Sequence, residues 1–293
     1  MRFQLTDDQR ALRDGVRGLL ARRFDREALR AAVDAPGRLD RALWRELGEA
    51  GFFALRLPES DGGVGLGLPE AVLAFEEAGR VLLPGPLVAT HLAAGVVSGA
   101  ADGSVVVADV DGGLVEWLDA ADVVRGEAGG AVPLRSVDPL TPLHRVAGRR
   151  MPGVSEADPV AVLLTAAEQL GTATRACELA VQHARTREQF GRPIGAFQAV
   201  KHLCAQLLVR AEVARAAVYA AAVTAEPVDI AAARLLADEA AVQGARDCLQ
   251  VHGGMGFTWE SEVHLLLKRA WVRARRGGGG AESEELLAAD LTA

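Results

Sequence analysis

Residues 250–257 read Gln-Val-His-Gly-Gly-Met-Gly-Phe, and residues 185–198 read Arg-Thr-Arg-Glu-Gln-Phe-Gly-Arg-Pro-Ile-Gly-Ala-Phe-Gln. Each stretch closes a long run of Ala and Leu at helical spacing, so each reads as a helix end followed by a turn. Gly253 and Gly254 can take backbone conformations closed to other residues. That suits a glycine C-cap, and it equally suits close approach of a phosphate, with no Cβ to hold it off. Gln250 adds an amide able to hydrogen-bond phosphate or ribose. In the earlier stretch Gly191 and Pro193 mark a helix–helix connection. Arg187 reads either as a surface charge or as a phosphate partner, and Phe190 either as core or as a ring set against a purine.

Around these two stretches the chain is helical from Asp158 onward. Residues 159–186, 194–224, 228–251 and 258–275 give four long apolar patterns, the signature of an antiparallel four-helix bundle. A weak last helix is expected over 282–289, after the glycine run 277–280. Residues 1–98 also read as helices. Thr6 and Gln9 form a capping box, and Leu12, Val16, Leu19 and Leu20 follow at helical spacing. Further helices are expected over 40–51, 69–80 and 87–98, separated by a loop at 57–65 and a Pro-Gly-Pro break at 84–86. Between these halves, 99–155 changes character. Val105-Val106-Val107-Ala108-Asp109-Val110 is a strand pattern ending in Asp111-Gly112-Gly113, a turn signal, and short apolar runs continue to Gly153. The expected fold is therefore mainly α: an N-terminal helical domain (1–98), a small β domain of four or five short strands (99–155) and a C-terminal bundle (156–293).

Composition limits the function. Of 293 residues, 50% are hydrophobic and 24% charged, ordinary for a folded soluble protein. A formal net charge of −7 argues against a nucleic-acid partner. No apolar run reaches the roughly 18 residues of a membrane span, and no apolar stretch of signal-peptide type follows the N-terminus, so the expected location is cytoplasmic. Cys177, Cys204 and Cys248 have neither metal-site nor disulfide spacing and read as small buried hydrophobes; no metal is expected.

Taken together, 187–202 followed by 250–258 resembles the C-terminal bundle of the acyl-CoA dehydrogenases. Leu-Pro-Glu-Ser-Asp-Gly-Gly-Val-Gly (57–65) with Glu76-Glu77-Ala78-Gly79-Arg80 is similar to their N-terminal helical domain. The resemblance implies FAD, held across a subunit interface. Positions matching Arg187, Phe190 and Gln198 would bind its adenosine and pyrophosphate from one subunit, and Gln250, Gly253 and Gly254 would approach from the neighbour. It further implies oxidation of the Cα–Cβ bond of an acyl-CoA thioester, a carboxylate taking the α-proton and the flavin the β-hydride, with electron-transfer flavoprotein as acceptor.

Two departures qualify the resemblance. The β domain is short for the family and lacks its Thr-Glu-Pro-type stretch. The family's usual glutamate position falls on Gly277, and the alternative position on Ala161. The nearest carboxylate is Glu168, in the otherwise apolar stretch 163–170. It reads either as a base, its pKa raised by burial, or as an interface glutamate. Glu260 is a weaker candidate, and His202 and His252 read as structural. The chain is thus expected to act as a homodimer, or as a heteromer in which a full-size acyl-CoA dehydrogenase completes the FAD site and donates the glutamate.

Overall fold

A computed structural model describes residues 4–146, 158–276 and 279–292. The N-terminal part comprises α1 (Asp7–Arg23), α2 (Arg26–Asp34), α3 (Arg41–Glu49), α4 (Leu68–Arg80) and α5 (Leu87–Ala93). The capping box forms as expected: Thr6 accepts from the Gln9 amide nitrogen, and the Gln9 side chain accepts from Thr6 N–H. Helix α2 is absent from the sequence reading. Its signal was Asp25, whose carboxylate accepts from the amides of Glu27 and Ala28 as an N-cap. The loop at 57–65 forms too, apart from one short 3₁₀ turn at Glu59–Asp61.

The sheet has five strands: β1 (Val107–Asp111), β2 (Leu114–Glu116), β3 (Val123–Arg125), β4 (Val132–Leu134) and β5 (Leu143–Arg145), in the order β3-β1-β2-β5-β4. Only the β1–β3 pair is parallel. Gly112 and Gly113, both at positive φ (56° and 83°), make the two-residue β1–β2 turn that the twist of a hairpin favours. The end of the segment read as β domain, 147–155, lies outside the described residues.

The bundle is α6 (Pro159–Thr186), α7 (Gln198–Thr224), α8 (Pro227–His252) and the shorter α9 (Val263–Arg273), with α10 (Gly280–Asp290) packed on α8. The connection between α6 and α7 is more structured than expected. A small hairpin, β6 (Glu188–Gln189) and β7 (Arg192–Pro193), turns at Phe190 and Gly191, both at positive φ.

The two helical parts lock together where α4 crosses α6. A Cβ on Gly79 would stand 2.0 Å from the carbonyl oxygen of Glu168, and one on Gly171 would stand 2.0 Å from that of Glu76. The helices thus touch backbone to backbone, and Thr172 Oγ1 donates to the Gly79 carbonyl across the contact. This approach buries two adjacent glutamates of α4, each met by an arginine. Arg17 of α1 donates twice to Glu77, while Arg215 and Tyr219 of α7 donate to Glu76. The sheet is pinned by Arg269 of α9, whose guanidinium donates to Asp138 and to the carbonyls of Leu82, Leu83 and Leu140.

Three substitutions test this packing. Gly171→Ala should lower unfolding free energy in urea by about 3 kcal/mol, since neither backbone can yield. Gly15→Ala, at a helical position with open space around it, should instead raise it by about 0.5–1 kcal/mol. Arg269→Met should cost about 3–5 kcal/mol in the same measurement, because it leaves Asp138 buried and unpaired.

Candidate functional site

The two glycine-bearing stretches start 65 residues apart in sequence, at Arg185 and Gln250, but meet at one end of the bundle. The last turns of α6 and α8 come together there: the rings of His183 and His252 stack at 4.1 Å with a 20° tilt. His252 is held by its own helix, Nδ1 lying 2.8 Å from the Cys248 carbonyl. Burial, then the neighbouring His252 and Arg187, push the pKa of His183 down. The start of α7 docks on the same end, since Gly195 lies so close to α6 that a Cβ would meet the Ala184 carbonyl at 2.8 Å.

The six expected nucleotide residues all sit at this end, and all face solvent. Arg187 follows the last residue of α6, its own N–H donating to the His183 carbonyl, and its guanidinium makes no ion pair among the described residues. Phe190 occupies the hairpin turn at φ 55° and is 90% exposed, edge-on to Phe197. That exposure overturns the core reading of Phe190. Gln198 opens α7 beside His202. Gln250 lies in the last turn of α8. Gly253 follows at φ 60°, ψ −145°, a backbone open to glycine, and nothing stands within 4 Å of where a Cβ of Gly253 or Gly254 would be. With Arg185, Arg187 and Arg192 clustered there, Arg192 over the Phe197 ring, this is a cationic, aromatic surface with open space above its glycines. Such a surface fits a nucleotide diphosphate.

The carboxylate readings fare differently. Glu168 is 1% exposed, and its carboxylate pairs with Arg273 of α9, itself buried. The carboxylate is not isolated in its apolar stretch: a guanidinium more than a hundred positions away supplies the counter-charge, invisible to a local reading. Glu260 is exposed, and the Arg26 guanidinium donates to its carbonyl. Gly277 lies outside the described residues, but the segment leading to it is firmly anchored. Arg234, 1% exposed, donates to the carbonyls of Arg273 and Arg276 and to Asp238, and Gln169 donates to Asp238 and to the Ala270 carbonyl. The cysteines are free; Cys248 is buried, Cys177 and Cys204 half-buried. Burial pushes the Cys248 thiol up to about 12 and that of Cys177 to about 11. All three therefore stay protonated, away from thiolate chemistry.

Sequence reasoning missed a pocket of about 250 Å³ between the sheet and the end of α9. Leu114, Leu143, Trp271 and Val272 form apolar walls, and Asp109, Asp111 and Glu116 bring carboxylates. Arg276 spans the gap to Glu116 at 3.3 Å and to Asp111 at 3.9 Å. The available signal was the period-two spacing of Asp109 and Asp111 within an apolar strand, which puts both on one sheet face.

No helix is long and apolar enough to cross a membrane, and no metal-binding cluster occurs, among the described residues. Residues 6–103 match the acyl-CoA dehydrogenase N-terminal domain family and residues 161–289 the acyl-CoA dehydrogenase C-terminal domain family. The chain is 39% identical over 292 residues to acyl-CoA dehydrogenase IpdE2 of Mycobacterium tuberculosis, covering 90% of this chain and 91% of that protein. It is 34% identical over 315 residues to IpdE2 of Mycolicibacterium smegmatis, covering 98% and 100%. Among solved structures, one from the ChsE4-ChsE5 complex of Mycobacterium tuberculosis superposes with a TM-score of 0.82 at 26% identity, covering 100% of this chain and 99% of that one. On its own sequence and on these likenesses, the chain belongs to the acyl-CoA dehydrogenase family.

Proposed function

We propose that this chain is the smaller subunit of a heteromeric FAD-dependent acyl-CoA dehydrogenase. It lends its nucleotide-binding end to a FAD shared with a full-size partner, which supplies the catalytic glutamate. The observation that carries this reading is the contrast between the two halves of the machinery. Arg187, Phe190, Gln198, Gln250, Gly253 and Gly254 are all exposed at one end of the bundle, whereas Glu168 is sealed inside and spent on Arg273.

FAD, when bound, would supply the hydride acceptor for oxidation of the Cα–Cβ bond of an acyl-CoA thioester. This chain's own residues bind and orient. Arg187 offers a fixed charge to a phosphate oxygen, Gln198 and Gln250 offer amides, and Gly253 and Gly254 leave room for the diphosphate. Such a surface binds weakly alone, because a nucleotide on it remains half solvated. It becomes a site when a second chain covers it and excludes water. Phe190, Met255 and Phe257, exposed at 90%, 57% and 70%, form the apolar rim that a second chain would cover. The homology to a protein solved as the ChsE4-ChsE5 complex favours a heteromer over a homodimer. Electron-transfer flavoprotein is the acceptor expected from the family.

The test is the visible absorption spectrum and solution mass of the chain, alone and co-expressed with a full-size acyl-CoA dehydrogenase from a neighbouring gene. Alone it should be colourless; with the partner it should purify as a yellow heteromer. Arg187→Ala in that heteromer should weaken FAD retention about tenfold or more, the worth of one charge-assisted hydrogen bond. Glu168→Gln should destabilise the chain without changing kcat of the assembled enzyme. A chain that is yellow and active by itself, and that Glu168→Gln silences while leaving FAD bound, would overturn the heteromeric reading and restore Glu168 as the base.

A further inference from the structure

A second polar cluster lies just beyond the 253–257 turn, and the proposed function does not use it. His264 and Lys268 stand one turn apart on α9, and Arg30 of α2 is near enough to His264 to act on it electrostatically. His264 is 6% exposed, and neither ring nitrogen has a hydrogen-bond partner; one guanidinium nitrogen of Arg30 is likewise buried and unpartnered. Among the described residues none of the three makes an ion pair. The carboxylate that acts on Lys268 is Asp138, which is already committed to Arg269, Thr141 and the Leu140 amide. Trp259 closes the cluster. Its ring meets His264 edge-on at 4.8 Å and lies under the Lys268 ammonium at 4.1 Å, yet 61% of the residue remains exposed.

Folded proteins rarely leave buried donors empty, because each costs about 1–3 kcal/mol. Here the unfilled donors are cationic or next to cations, so what they lack is negative charge. Burial, with Lys268 and Arg30 nearby, pushes the pKa of His264 down to about 4. The ring is therefore neutral and presents one N–H. The set is then a neutral donor with two cations acting on it, beside a tryptophan that is 61% exposed. We propose that Arg30, His264 and Lys268 form a binding site for an oxyanion, phosphate or carboxylate, carried by a small ligand whose apolar body rests on Trp259. The site is built from α2 and α9 of one chain and needs no second subunit.

The full chain should be titrated with inorganic phosphate and, separately, with benzoate, against sodium chloride at matched ionic strength. Tryptophan emission and melting temperature are the readouts. At least one anion should shift the emission saturably, and Trp259→Phe should remove that shift. The same anion should raise the melting temperature of the parent. Lys268→Gln and Arg30→Gln should each weaken binding about tenfold, as loss of one charged hydrogen bond implies. Phosphate binding alone would identify a phosphorylated ligand, and preference for benzoate a carboxylate with a flat body. No saturable response to either anion, or unchanged binding in Lys268→Gln (half-buried and expected to fold), would overturn the proposal.

Discussion

At the crossing of α4 over α6 the two helices meet backbone to backbone, and much of the structure is arranged around that contact. Two glycines face the opposite helix's backbone, Gly79 that of Glu168 and Gly171 that of Glu76, at a distance that admits no side chain. Because the helices sit so close, the residues flanking the crossing have no solvent to turn to. Glu76 and Glu77 must find cations inside the protein, and they find them on helices far away in sequence, α7 and α1. A contact driven by dispersion and backbone proximity thereby dictates where charged residues are needed. The bundle and the N-terminal helices become one body through those charges, not only through their apolar faces.

The same economy governs the end of α9. Its last carbonyls accept turn bonds, Ala270 from the Ala274 N–H and Arg273 from the Arg276 N–H, and Gln169 and Arg234 give the same two oxygens a second donor from inside the bundle. Arg273 and Arg276 then reach outward to Glu168 and Glu116, tying the helix end to α6 on one side and to β2 on the other. A short sheet thus remains positioned even though it is small. Glu168 is drawn into this arrangement as a counter-ion, which explains a carboxylate in an apolar stretch without invoking chemistry.

Local signals carried the fold well where they were local in origin. The Thr6–Gln9 capping box, the Gly112–Gly113 turn and the long alanine-rich helices all depend on residues within a few positions of one another. Helix α2 is hard to read because it is only nine residues long, and of its five apolar residues three are alanines, leaving Leu29 and Val33 alone to mark the buried face. The hairpin at Phe190 was hidden because only the backbone, not the composition, distinguishes it from an ordinary connection. The two glycine-bearing motifs were legible in sequence, but their meeting depends on the His183–His252 stack, a contact between helices. The role of Glu168 was illegible for the same reason: its partner lies more than a hundred positions away. Trp259, Lys268 and Arg30 each look like a routine surface residue until α2 and α9 are placed side by side.

The turn at Phe190 has a consequence for the life of the chain in the cell. A two-residue turn with both residues at positive φ holds a phenyl ring out in water, 90% exposed. Together with Phe257 and Met255 it leaves one end of a newly made chain sticky. A subunit released in excess of whatever covers that end would be exposed to promiscuous self-association and to quality-control proteases. Balanced synthesis would then matter as much to this protein as any of its packing contacts.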